Sequence, residues 1–338
     1  MEKFIFPDLY CPFPYQINKY ADILEGNGIE WLLRFNLLAN ESSYRRFCKS
    51  NFYLLVAGAY PFCELEEINI ANDLFSWLFI WDDQCDMSDL GEKPEVLETY
   101  HKRFIEILNG AELTSNDISL TYALADLRKR MLKIAKVEWF QHFIQSFQGY
   151  FDGCVQEAAN REKGITPDID TYIKIRSLSS AGDITVELIE FCNHLMIPDA
   201  LRQHDIVKKL KEMTINILAW CNDIFSVPRE MASDDVHNLV LVLHYQQQLP
   251  LDVAIKRAAE IHDQEIQAMM NLELSLPSFG KELDAEVEQY ILGMHSWIRG
   301  NLDWYFQSHR YQNNEKLELV KSSVELQISN QDISQEAA

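Results

Sequence analysis

Apolar positions recur at intervals of three and four residues along most of this chain, the spacing of a buried helical face. From about residue 17 to residue 310 such segments succeed one another. They predict helices near 19–39, 41–58, 65–86, 94–109, 116–134, 137–161, 168–193, 206–231, 234–248, 250–275 and 283–310. Interruptions fall at Gly91–Pro94, Gly164–Pro167, Pro198, Pro250 and Pro277–Gly280, where helix-breaking residues cluster. No run alternates apolar and polar residues between hairpin turns, and no internal repeat is visible. The expected fold class is all-α. Residues 1–16 carry Pro7, Pro12 and Pro14 among aromatics and read as an extended arm packed on the domain. No linker divides residues 17–311, which read as one helical domain. Residues 312–338 are polar and read as a partly disordered tail.

Composition changes this picture in one respect. The chain has 338 residues, enough for a sizeable core, and carries 52 acidic against 30 basic side chains, a formal net charge of −22. Such a chain repels nucleic acid and anionic membrane surfaces, so neither is an expected partner. It binds an anionic ligand only where a basic cluster or a metal ion inverts the local sign, and its carboxylates make Mg²⁺ the first cation to consider. The seven cysteines, Cys11, Cys48, Cys63, Cys85, Cys154, Cys192 and Cys221, form no CxxC pair and are odd in number, which argues against a disulfide framework or a zinc site. With no signal-like N-terminus and no apolar run near ~20 residues, a reducing cytoplasm is the expected location.

Two constellations carry candidate chemistry. In FSWLFIWDDQCDMSD, Asp82, Asp83 and Asp86 fall within an arc of ~100° on a helix. Three carboxylates so close repel one another unless cations bind between them or protons are retained. Phe75 and Phe79 share that arc deeper in the helix, so one face runs from an aromatic floor to an acidic mouth. In WCNDIFSVPREM, Asn222, Ser226 and Glu230 stand at i, i+4 and i+8, an arc of ~80°. Their oxygens suit a hard cation that keeps some waters. The flanks, Ile215, Ile217, Leu218, Ala219 and Trp220, are apolar, and a polar row on a buried helix needs partners. Pro228 removes one backbone bond and favours a kink just before Glu230.

In that order, DDQCD and NDIFSVPRE resemble the two metal-binding motifs of class I terpene cyclases of the microbial type. The resemblance extends over nearly the whole chain. Arg176 in YIKIRSLSSAGD stands 46 residues before Asn222, the separation at which the family places a diphosphate-contacting arginine. The small polar residues after it weaken a helix, and the family has a helix break there that exposes a backbone carbonyl; Ser179 and Ser180 are the candidates. HRYQN matches the family's arginine–tyrosine pair in Arg310 and Tyr311. The helix before it sets Gly293, Trp297, Gly300, Trp304 and Tyr311 within ~60° of arc, as if shaping a cavity wall.

The resemblance implies a single-domain α-bundle with a central active-site cavity. It also implies a linear allylic isoprenyl diphosphate as substrate, farnesyl diphosphate before geranylgeranyl diphosphate, and cyclisation to a sesquiterpene hydrocarbon or alcohol. A cluster of Mg²⁺ ions, replaceable by Mn²⁺, is implied at Asp82 and Asp86 on one side and Asn222, Ser226 and Glu230 on the other. Arg176, Arg229, Arg310 and Tyr311 are implied to bind diphosphate, and Asp83 to pair with basic residues. Candidate cavity-lining residues are Phe75, Phe79, Phe147, Tyr150, Trp220 and Trp304, whose π faces stabilise passing positive charge. Enzymes of this family often pair, so a homodimer is a further expectation. Three alternatives compete. A chain-elongating prenyltransferase needs a second aspartate-rich motif. A metal phosphohydrolase would build on His204–Asp205 and His262–Asp263. A non-enzymatic helical scaffold would leave the 222–230 row facing solvent.

Overall fold

The computed structural model describes residues 4–38, 40–86, 88–233 and 235–311; the side chain of Asp86 and the expected tail at 312–338 lie outside the described residues. Among the described residues the chain is helical with no strand. In order the helices are α1 (Ala21–Arg34), α2 (Glu41–Ser50), α3 (Phe52–Ala59), α4 (Leu65–Asp86), α5 (Pro94–Leu108), α6 (Ser119–Met131), α7 (Val137–Lys163), α8 (Ile169–Ser179), α9 (Gly182–Asn193), α10 (Asp199–Arg202), α11 (Asp205–Ala232), α12 (Leu239–Gln246), α13 (Leu251–Glu273) and α14 (Lys281–Gln307). A 3₁₀ turn, Asp89–Glu92, comes after α4.

Local chemistry sets the boundaries. Asn40 caps α2 by accepting from Ser43 N–H at 2.8 Å, and Asp168 caps α8 by accepting from Thr171 N–H at 2.8 Å. Gly164 ends α7 in the left-handed region. Two of the expected long helices are each divided. The segment 41–58 splits at Asn51, whose φ of 50° turns the chain from α2 into α3. The segment 168–193 splits at Ala181, with φ 57°, so that α8 stops one turn after Arg176 and α9 begins at Gly182. By contrast α11 continues through Pro228 to Ala232.

The long helices α4, α7, α11 and α14, with α3, α8 and α9, surround one cavity. Close approaches hold this wall together. A Cβ on Gly300 would lie 2.6 Å from the carbonyl carbon of Gly58, so α14 and α3 cross with backbones nearly touching. A Cβ on Gly153 would lie 2.5 Å from the backbone nitrogen of Ser179, which presses α7 against the end of α8. The C-terminal end of α14 is anchored on the α2–α3 junction. Trp304 and Ser308 donate to the Ser50 carbonyl at 2.9 and 2.8 Å, Asn51 donates to the Gln307 carbonyl at 2.9 Å, and His309 N–H donates to the Lys49 carbonyl at 3.0 Å. The Asn51 break is therefore what seats Arg310 and Tyr311. Residues 4–16 run without helix over α11, α13 and α14: Phe6 packs on Phe225, Tyr10 N–H donates to Asp263 at 2.9 Å, and Phe13 stacks on His295. All seven cysteines are free thiols, and among the described residues no helix is long and apolar enough to cross a membrane.

Candidate active site

The cavity encloses about 1280 Å³ including its open mouth. At the mouth, α4 presents Asp82 and Asp83 to cations from three other elements. Arg310 Nη2 lies 3.1 Å from Asp82 and 2.7 Å from Asp83; Arg229 Nη2 lies 3.1 Å and Arg46 Nε 3.9 Å from Asp83. Burial pushes the Asp83 carboxyl up, but Arg310, Arg229 and Arg46 outweigh it and hold Asp83 below the usual range. Burial also pushes Asp82 up; Arg310 and Arg229 oppose it, Asp83 adds to it, and the net direction is up. Of the two, Asp82 lines the cavity and is the less compensated.

Facing it, α11 places Asn222, Ser226 and Glu230 on the cavity wall. Asn222 accepts from Arg176 Nη2 at 2.8 Å and donates to the Tyr305 and Tyr311 hydroxyls at 2.7 and 3.2 Å. Asn238, the cap of α12, donates to Glu230 at 2.6 Å, to Ser226 at 3.4 Å and to the Asp223 carbonyl at 2.7 Å. Burial, with Asp223 and Asp235 nearby, pushes the Glu230 carboxyl up to about 8 against the pull of Arg176. Behind the row, buried Asp223 accepts from Tyr172, from Arg176 Nε at 3.0 Å and from Leu239 N–H at 2.7 Å, so it holds Arg176 against the cavity.

The α8–α9 break forms a third side. Ser179, Ser180, Ala181 and Gly182 all line the cavity. The last carbonyls of a helix lack intrahelical partners, and here they end beside Arg176. The Ser179 hydroxyl donates to buried Glu157, and Ser180 Oγ accepts from Gly182 N–H at 3.2 Å. Deeper, Phe75, Phe79, Trp297 and Trp304 make an aromatic floor. Phe75 and Trp297 have ring centres 5.1 Å apart, and Phe79 and Trp304 5.7 Å apart.

The structure thus gathers Phe75, Phe79, Asp82, Tyr150, Arg176, Ser179, Ser180, Asn222, Ser226, Arg229, Glu230, Trp304 and Tyr311 around one cavity, with Arg310 beside Asp82. Two expected lining residues are elsewhere. Phe147 is fully buried among Trp77, Phe143 and Phe151, one turn below Tyr150. Trp220 points off the far side of α11 into a separate apolar cluster with Tyr172 and Val240. A helical arc gives direction but not depth, and Trp220 lies off the 222–230 arc. The glycines of the α14 stripe serve helix contact instead: Gly300 meets Gly58, and Gly293 meets Ile189. His204 packs on Phe279, and His262 pairs with Asp263, so those two dipeptides do not converge on a common site.

Sequence reasoning missed Arg46, Glu157, Arg161, Asp235, His237, Asn238 and Tyr305. The α7 pair was accessible: Tyr150, Cys154, Glu157 and Arg161 share one face, and two charges in line with apolar residues mark a lined cavity. Arg46 had no such signal.

The donor chemistry suits a polyanion carried with a hard cation. Among the described residues no three His, Cys, Asp or Glu side chains form a ready metal cage. Asp82 and the amide, hydroxyl and carboxylate oxygens of the triad fit a cation that retains waters and takes other ligands from its substrate. Among the described residues the buried atoms Arg46 Nη1 and Arg310 Nε find no hydrogen-bond partner, two donors beside the acidic mouth.

Residues 73–268 match the family model described as terpene synthase family 2, C-terminal metal binding. A germacrene A synthase of Nostoc punctiforme is 56% identical over 95% of this chain and 99% of its own length. A (+)-T-muurolol synthase of Roseiflexus castenholzii, named as (2E,6E)-farnesyl diphosphate cyclizing, is 36% identical over 94% of this chain and 97% of its own. The crystal structure of germacradien-4-ol synthase from Streptomyces citricolor superposes with a TM-score of 0.79 at 25% identity, covering 88% of this chain and 98% of that one.

Proposed function

The chain belongs to the microbial class I terpene synthases, and from that premise we propose that residues 17–311 cyclise farnesyl diphosphate to a sesquiterpene with Mg²⁺ in the site. The observation that carries the proposal is the convergence of Asp82 with Asn222, Ser226 and Glu230, from two facing helices, over an aromatic floor. A germacrene-type ring is the first product to seek, given the name of the 56% identical relative. The free thiols fit a reducing cytoplasm.

In this reading Asp82 and Asp86 would hold Mg²⁺ on the α4 side, and Asn222, Ser226 and Glu230 on the α11 side. Bound there, Mg²⁺ supplies positive charge where diphosphate gathers negative charge on leaving. The chain's own side chains bind and orient. Arg176, Arg229 and Arg310 donate to the phosphate oxygens, and Tyr311 adds a hydroxyl donor. Asp83 keeps Arg229 and Arg310 aimed and charged. Asp223 and Asn222 fix the Arg176 fork. The end of α8 at Ser179 and Ser180 turns carbonyl oxygens toward the allylic carbon, which favours charge separation as the C–O bond breaks. Phe75, Phe79, Trp297 and Trp304 then exclude water and offer π faces to the cation. Tyr150 closes the opposite wall. A distal double bond attacks the allylic cation to close the ring, and the held diphosphate accepts the final proton.

The test is incubation of the purified protein and Mg²⁺ with geranyl, farnesyl and geranylgeranyl diphosphate, each analysed by gas chromatography–mass spectrometry. The expected outcome is a C15 product from farnesyl diphosphate that vanishes with chelator and returns with Mg²⁺. Turnover undiminished by chelator, or twenty-carbon products alone, overturns it.

A further inference from the structure

Arg161 of α7 lines the cavity and ties several parts of the chain together. Its Nε donates to Asp235 Oδ2, its Nη1 to the Gly91 carbonyl and its Nη2 to Glu157 Oε2, each at 3.1 Å. These partners lie on different parts of the chain. Gly91 belongs to the 3₁₀ turn after α4, the helix carrying Asp82. Asp235 belongs to the segment after α11, the helix carrying the triad, and lies three residues before Asn238, which holds Glu230 and Ser226. Glu157 stands one turn before Arg161, and its other oxygen accepts from Ser179 at the α8 break.

The backbone is close-packed at both ends of this set of contacts. A Cβ on Gly91 would fall 2.4 Å from the Cys85 carbonyl, and one on Gly153 would fall 2.5 Å from Ser179 nitrogen. Asp235 is further fixed by His237 N–H at 2.9 Å, and the His237 ring meets Asn160 of α7 at 3.1 Å. An unbroken set of polar contacts therefore runs from the break, through Ser179, Glu157 and Arg161, to both segments that leave the acidic helices.

We propose that Glu157 and Arg161 form a positioning clasp: they join the α8–α9 break to the segments at 88–93 and 235–238, so that seating a diphosphate on Arg176 beside the break and drawing the two segments together over the mouth are one event. The inference rests on the diphosphate reading above. Arg161 suits the task because a planar guanidinium serves three acceptors at fixed angles, which an ammonium does not. Neither residue need touch the substrate. A plain structural brace would hold the same contacts but would not make the two segments answer a ligand together.

Hydrogen–deuterium exchange separates these cases, with Mg²⁺ plus inorganic diphosphate as the probe and full-length wild type, Arg161→Lys, Arg161→Gln and Glu157→Gln as the proteins. In wild type, peptides over 88–93, 177–182 and 235–238 should gain protection together, with one half-saturating concentration. Arg161→Lys keeps the charge but loses the fork; the two mouth segments should respond separately and half-saturation should rise about tenfold, a usual size for a lost coupling between sites. Glu157→Gln should leave the mouth segments coupled to each other and uncoupled from 177–182. If the folded variants respond as wild type does, the clasp is wrong. If wild type gains no protection from Mg²⁺ and diphosphate, the diphosphate reading falls with it. Should Arg161→Gln fail to fold, the Lys and Glu157→Gln variants carry the test alone.

Discussion

At the mouth of the cavity Asp83 meets three arginines, Arg46, Arg229 and Arg310, while two turns deeper on the same helix Phe75 meets the rings of Tyr60 and Trp297. The mouth is built from directional contacts: each side chain there has a partner at a set distance and angle, and few other residue types could replace it. The floor is built from shape, and many apolar residues of similar volume would fill it. The two ends divide the work accordingly. The mouth would bind diphosphate and assist its departure, a matter of charge. The floor would hold a flexible chain in one fold and keep it dry, a matter of contour. Arg310 touches both ends, since its guanidinium lies 3.1 Å from Asp82 and 5.2 Å from the centre of the Phe79 ring.

Removing a mouth ligand should have the largest effect. Asp82→Ala and Asn222→Ala should each lower turnover of farnesyl diphosphate about a thousandfold, in line with losses of a key electrostatic group. Their circular dichroism and melting should stay close to wild type, because Asp82 is a cavity residue and the Asn222 side chain bonds around the site. Wild-type product yield from both variants would break the division between mouth and floor at its stronger end.

Floor substitutions should sort differently. Phe75→Leu or Phe79→Leu should change the ratio of products about tenfold while total turnover falls far less than in the mouth variants. That ratio corresponds to about 1.4 kcal/mol between competing paths, within reach of one altered aromatic contact. Phe147→Leu sharpens the contrast, because Phe147 lies in the packed core below the floor. It should lower stability by about 1–3 kcal/mol and leave the product ratio unchanged. A product shift from Phe147→Leu, measured by gas chromatography, would mean that the floor extends a layer deeper.

The same contrast explains what was legible in the sequence. The all-α class and most helix positions came from apolar periodicity, which burial enforces directly. The mouth was legible where a motif fixed residue type and spacing together, as in Asp82, Asn222, Ser226 and Glu230. Asp223 carried no assigned role because its work is hidden behind the wall, steering Arg176. Arg46 was invisible because a lone arginine in the polar helix α2 resembles any exposed one; only the left-handed turn at Asn51, itself unforeseen, folds α2 back over the mouth. The break after Arg176 was implied by the family resemblance and only admitted by the small polar residues there; it falls at Ala181, where α7 presses Gly153 against Ser179. For the floor, periodicity gave direction without depth, which is why Phe147 and Trp220 were misplaced.

The smallest effect concerns the mouth in the absence of metal, and it tests whether that end is held unbalanced. Glu230 titrates near 4.5 in an unfolded chain, whereas burial beside Asp223 and Asp235 pushes it up to about 8 in the folded one. Below pH 4.5 both states keep the proton and the group contributes no pH dependence. Between about 4.5 and 8 the unfolded state releases the proton while the folded state retains it, so stability should fall as pH rises through this window. The slope from one such group is at most about 1.4 kcal/mol per pH unit. Asp73 and Glu190, each pushed up to about 7 by burial, slope in the same direction, so the comparison must be with Glu230→Gln rather than with a calculated curve. In chelator, urea unfolding of that variant should show a shallower fall from pH 5 to pH 8 than wild type. Equal slopes would mean that the mouth already balances its charge without a cation, and that it differs from the floor in composition but not in electrostatic tension.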